Sequence, residues 1–198
     1  MVRKSLYLTW LLCSLCQAGF FEFGVASPMQ ILTPDSDVTG IRIGMFYTEN
    51  KDIVGFDYNF VVGKSKGSVY GVSMSAVNLV ERTFQGVQMG LVNWNGEGGT
   101  AFQFALANLG GGEAAGFRFA LLNSGKGMTG AEIGMVNLHE NFGGGEFGIA
   151  NIGKKVRGVQ IGIINYAEEL HGLQLGLINI ALNNSALPVF PLFNMNFN

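Results

Sequence analysis

From Gly40 to Asn179 apolar and non-apolar residues alternate with period two, in blocks of the form Gly-φ-polar-φ-Gly/Ala-φ-φ-Asn, where φ is apolar. Gly86-Val-Gln-Met-Gly-Leu-Val-Asn93, Gly158-Val-Gln-Ile-Gly-Ile-Ile-Asn165 and Gly172-Leu-Gln-Leu-Gly-Leu-Ile-Asn179 are the clearest copies. Two degenerate copies precede them, Gly40 to Tyr47 and Gly55 to Val62. Numbering each block from its glycine, the second, fourth and sixth positions are apolar, while the first, third and fifth are small or polar. Period two predicts strands with one apolar face and one small or polar face. A helix needs apolar residues three and four apart, and two glycines per block would cost it roughly 1 kcal/mol each.

Each closing asparagine marks a repeat: Asn78, Asn93, Asn108, Asn123, Asn137, Asn151, Asn165 and Asn179, spaced 15, 15, 15, 14, 14, 14 and 14 residues. Two architectures place a strand at such intervals. A parallel solenoid stacks coils and makes ladders of Asn on Asn and Gln on Gln; an antiparallel meander puts successive connections on opposite rims. The charges between blocks alternate. Odd connections hold seven acids (Glu49, Asp52, Glu81, Glu113, Glu140, Glu168, Glu169) and two bases (Lys51, Arg82). Even ones hold six bases (Lys64, Lys66, Lys126, Lys154, Lys155, Arg157) and one acid (Glu97). Two rims account for two classes of connection, so the pattern favours an all-β, antiparallel up-and-down meander. With a strand before the blocks (Met29 to Thr33) and one after (Leu192 to Phe197), about twelve strands are expected, closed as a barrel that leaves no free edge. A β-solenoid or an open repeat sheet is the alternative.

In such a barrel the second, fourth and sixth positions face lipid. The third positions face the lumen, among them the charged Arg42, Asp57, Arg118, Glu132 and Glu146, with Arg42–Asp57 and Arg118–Glu132 on neighbouring strands. The glycines have two readings, backbone crowding and curvature or a deliberately open lumen. Nine residues of apolar band at about 40° tilt span about 23 Å, slightly below the roughly 25 Å of known barrels.

Composition adds location. Mean hydropathy is +0.30, and 12 basic against 14 acidic residues give no field for nucleic acid. Arg3 and Lys4 followed by the apolar Leu6 to Cys16 read as a secretory leader. Small residues suited to cleavage end at Ala18 and Ala26. Cleavage after Ala26 is expected, giving a leader over 1–26 and one β-repeat domain over 27–198, with blocks over 40–179 and a closing segment over 180–198. Both cysteines lie in the leader, so no disulfide, thiol or Cys metal site is expected in the mature chain.

The chemistry that the residues offer is thin. Gly63-Lys-Ser65-Lys-Gly67 matches a nucleophile elbow, but no helix follows it, and a tight turn is expected. His139 and His171, the only histidines, are expected on one solvated rim rather than in a metal site. Trp94 and Tyr166 follow a block Asn, where an interfacial aromatic belt or an ordinary core cap would place them. No catalytic residue, cofactor or metal is expected.

The repeats, with the ending Asn183-Asn-Ser-Ala-Leu-Pro-Val-Phe-Pro-Leu-Phe-Asn194, resemble an uncharacterised surface-repeat family of secreted proteins in Gram-negative-type bacteria, over about Gly40 to Phe197. That resemblance implies export or surface placement and no assigned activity. The expectation is an exported outer-membrane or cell-surface repeat protein in contact with outer-membrane lipid, structural or a narrow passive pore and not an enzyme. The alternative is a non-membrane surface or periplasmic interaction or adhesion module.

Overall fold

A computed structural model describes residues 18–197, in which fourteen strands from Ala18–Ala26 to Val189–Asn196 form one sheet and no helix occurs. Strands neighbour one another in chain order and nearly all pairings are parallel. The chain is a β-solenoid, not the antiparallel barrel that the charges between blocks suggested.

Each coil stacks on the last in register: Asn123 lies beside Asn137, Asn137 beside Asn151, and Asn151 beside Asn165. A representative coil runs outward-inward along Leu122 to Gly125, turns at Lys126, returns along Met128 to Ile133, and turns again at Gly134-Met135. Third positions form one column, one per coil: Glu22, Arg42, Asp57, Ser73, Gln88, Gln103, Arg118, Glu132, Glu146, Gln160 and Gln174, all buried. The solenoid therefore has about eleven coils. Where 15-residue coils give way to 14-residue ones, the ladder slips by one residue between Gly125 and Gly127, so Gly127 pairs with Glu113. The extra residue bulges out at the charged turn and the rest of the coil keeps its register.

Acid and base alternate for a reason that stacking supplies. Successive charged turns lie one strand spacing apart, about 4.8 Å, so a run of like charge would repel along the whole edge. Most of the observed pairs run between adjacent coils: Lys64 to Glu49 (3.4 Å) and Glu81 (3.0 Å), Arg82 to Glu97 (3.6 Å), Lys154 to Glu140 (3.4 Å) and Lys155 to Glu169 (3.4 Å). Exposed pairs of this kind contribute about 0–1 kcal/mol each; their main effect is to avoid the like-charge alternative. The asparagines stand in one column, not on two rims.

No lumen remains for a pore. At Gly158, φ is +140° and a Cβ would lie 2.0 Å from the carbonyl oxygen of Gly144; Gly144 repeats this against Gly130 at 1.9 Å. Crowding and curvature, not an open channel, explain the first-position glycines. Apolar packing centres on one column that is broken at Gly99, between a cluster around Val38, Ile53, Val69 and Phe84 and another around Met128, Phe142, Val156 and Leu170, with Val80, Ala101, Ala167 and Ala181 added from other columns.

Both ends are capped by antiparallel pairs. Val189–Asn196 reverses direction against Ile164–Ala181, with Gln174 beside Asn194. At the other end Met29–Gln30 folds back on Ala18–Ala26, which itself pairs parallel to Asp37–Asn50 and sets Glu22 beside Arg42. Residues 1–17, most of the expected leader, lie outside the described residues. Cleavage after Ala26 would remove the whole first strand, whereas cleavage after Ala18 leaves all but its first residue. If a leader is removed, intact mass of the mature protein should therefore give Gly19, not Ser27, as the first residue.

Candidate functional site

Two features stand out, an apolar edge outside and a charged cluster inside. Second, fourth and sixth positions all point outward. At the Gly-φ-φ turn the fourth, sixth and seventh positions splay around a convex corner, and no charged residue occupies any of them from Ile41 to Ile178. The sixth-position column alone holds Met45, Phe60, Ala76, Leu91, Leu106, Leu121, Met135, Ile149, Ile163 and Leu177, large and exposed except at Ala76, with Phe60 69% and Leu177 62% exposed. Ten coils at about 4.8 Å make an apolar ridge roughly 43 Å long. Soluble monomers rarely expose contiguous apolar patches beyond a few hundred Å², which makes this ridge a candidate contact surface. The charged turns run along the opposite edge of the same coils. On the flanking face the column next to the asparagines holds Leu79, Trp94, Leu109, Leu138, Ile152 and Tyr166, placing amphipathic rings between the two edges.

The interior is held by polar ladders. Each Asn amide donates to the next Asn Oδ1 and to a backbone carbonyl at the apolar turn; for Asn151 these are Asn165 Oδ1 at 2.8 Å and the Ile161 carbonyl at 3.0 Å. The same pair of bonds recurs from Asn78 to Asn165. Towards the first coils Thr48 and Gly63 take the ladder position, and the Asn59 side chain fills the space above Gly63.

In the third-position column, Arg42 meets Asp57 through Nε at 2.6 Å and Nη2 at 2.8 Å, and its Nη1 donates to the Lys64 carbonyl. Ser73 also donates to Asp57. This group is fully paired. The second charged group is not. Arg118 Nε donates to Gln103 (2.7 Å), and its Nη1 lies 3.5 Å from Glu132 Oε1 without a hydrogen bond. Glu132 Oε2 is 2.5 Å from His139 Nε2. Glu146 accepts from Gln160 at 2.7 Å through one oxygen only. Arg118 Nη1, Glu132 Oε1, His139 Nδ1 and Glu146 Oε1 are all buried without a partner. Space for the guanidinium comes from Gly110 and Gly125, whose Cβ atoms would stand 3.3 and 3.4 Å from its nitrogens.

His139 is thus inside the solenoid, not on a solvated rim, because it lies two residues after a ladder asparagine and shares its inward parity. His171, six residues after Asn165, is exposed and lies in register beside Arg157 of the preceding coil. The two histidines do not meet. Ser65 is buried and donates to the Lys51 carbonyl at 2.5 Å, with neither histidine among its partners. What the sequence did not reveal was the meeting of His139 with Glu132, since it depends on two strands of one coil closing over the same interior.

Burial pushes Glu146 up to about 8, helped by the nearby Glu132 charge and opposed by the Gln160 hydrogen bond. An acid raised from 4.5 is bound to its proton in the folded state while the unfolded chain has lost it. That contribution to stability is complete below about pH 4.5 and is lost as pH rises towards 8. In metal-free buffer, urea midpoints should fall by the equivalent of a few kcal/mol between pH 5 and 8. Glu146→Gln should flatten that decline.

Comparison with family models, with curated proteins and with solved structures finds no match.

Proposed function

We propose that the protein is a non-enzymatic interaction module that lies on a lipid layer by its apolar edge, without spanning it. The observation that carries this is the segregation of chemistry around each coil: ten coils present uncharged residues, nearly all apolar, at one turn, and at the other turn nine carry charged residues and the tenth carries Asn183 and Asn184. A water–acyl boundary needs that arrangement, with apolar side chains sunk about 5–10 Å and polar groups left in water. A convex ridge suits a deformable acyl layer better than a rigid second ridge, against which its columns could not all be covered at once. Export to the bacterial surface or periplasm is part of this reading, supported by the apolar leader and by the resemblance of the repeats.

Flotation with phosphatidylcholine vesicles tests it. Binding should be unchanged by added anionic lipid or by salt, because the edge carries no charge. Protein that stays at the bottom of the gradient with every vesicle composition would overturn the reading.

A further inference from the structure

We propose that Glu132, His139 and Glu146 form a site for one divalent transition-metal ion of the zinc class inside the solenoid. Among the described residues only this group brings three His, Asp or Glu ligand atoms together, all within 4.8 Å of one another and all buried. The column is otherwise chosen for complementarity: Gln on Gln, Arg on Asp, Arg on Gln. Glu132 on Glu146 is the one rung that sets a carboxylate beside a carboxylate, and no hydrogen bond joins them.

The unpaired atoms point the same way. Glu146 uses its Oε2 on Gln160 in the following coil, so its Oε1, which has no partner, is left for the Glu132 side. Buried polar atoms without partners are uncommon, and a cluster of them marks a place for an ion or water. Arg42–Asp57, built from the same column, has no such gaps. Arg118 lies 3.5 Å from Glu132 Oε1, which leaves Oε2, the imidazole Nε2 and Glu146 on the other flank. An ion between Glu132 Oε2 and His139 Nε2 would replace their 2.5 Å contact with two bonds of about 2.0–2.2 Å each, moving each atom by some tenths of an ångström.

One imidazole and two carboxylates select the metal. Calcium and magnesium need six or more oxygens, or several retained waters, whereas this buried group brings together only two carboxylates and an imidazole. Zinc accepts three protein ligands and one water. A shallow groove of about 650 Å³ lies over the cluster, floored by Gly110, Gly125 and Gly153 and lined by His139 itself. His139 Nδ1 would lie 3.7 Å from a Cβ on Gly125, so the ring separates groove from carboxylates and is the doorway as well as a ligand.

The test uses the full chain after chelator treatment, titrated with Zn²⁺ by calorimetry and followed by thermal unfolding, with no vesicles present. One equivalent should bind and raise the melting temperature, while Mg²⁺ and Ca²⁺ do neither. Glu146→Gln and His139→Gly should each weaken binding at least tenfold. Both substitutes already occur in these columns, Gln at Gln160 and Gly at Gly153, so the fold should be kept, as circular dichroism would show. His171→Gln should change nothing. Absence of a zinc effect in the native chain, equal effects of Ca²⁺, or binding that survives both cluster substitutions would overturn the proposal. None of these outcomes bears on lipid docking.

Discussion

Placing aspartate at Leu121, Met135 and Ile149 together should abolish flotation with phosphatidylcholine vesicles while leaving the circular dichroism spectrum unchanged. These three sit at the sixth position of consecutive coils, each about half exposed, so they contribute little to the interior. Burying one such side chain contributes about 1.5–3 kcal/mol, and sinking a carboxylate into acyl chains costs about 2.5–3.5 kcal/mol. Three substitutions thus remove on the order of 10 kcal/mol, more than the roughly 8 kcal/mol of a micromolar association. A single substitution should weaken binding and not eliminate it. Lys126→Glu, Lys154→Glu and Glu168→Lys on the far edge should leave flotation intact. Equal flotation of native and triple-aspartate protein would show that the edge is not the contact, whatever else the protein binds.

That edge was legible in the sequence. Alternation at Val87, Met89 and Leu91 against Gly86, Gln88 and Gly90 correctly separates outward from inward side chains, and it does so for a barrel and a solenoid alike. Sidedness therefore cannot distinguish the two folds. The distinction lay in the asparagines and the charges. Asn123, Asn137 and Asn151 at a constant interval are what parallel stacking in register requires, since identical amides can each donate to the next. Acid–base alternation at Glu140, Lys154 and Glu168 favoured two rims only when each charge was considered within its own connection. Stacked about 4.8 Å apart, the same residues are neighbours, and alternation is what neighbours need. The buried cluster was half legible. Arg118 beside Glu132 follows from the repeat interval, whereas His139 meets Glu132 across the coil, seven residues away, and no period announces that.

The asparagine ladder sets the second large effect. Asn151→Ala should destabilise the protein by on the order of 4 kcal/mol, read as a drop in urea midpoint by circular dichroism. Asn151 makes three bonds: it accepts from Asn137 at 2.8 Å and donates to Asn165 and to the Ile161 carbonyl. Removing it leaves an amide hydrogen of Asn137 and the Oδ1 of Asn165 buried without partners, each costing about 1–3 kcal/mol, together with a cavity where the side chain stood. The Ile161 carbonyl keeps the Gly148 amide at 3.0 Å, so its loss is partial. Position along the axis should matter. Asn179 ends the ladder and donates instead to the Gly176 and Phe190 carbonyls, so Asn179→Ala orphans the amide of Asn165 but no further ladder asparagine, and should cost less. In a solenoid stability is approximately a sum of coils and the interfaces between them. A break at Asn151 weakens one central interface, and unfolding should then split into two transitions, with the coils before and after it melting apart. A single transition with an unchanged midpoint would mean that the amide bonds merely replace those made to water, and that the glycine-spaced backbone ladder alone holds the coils together.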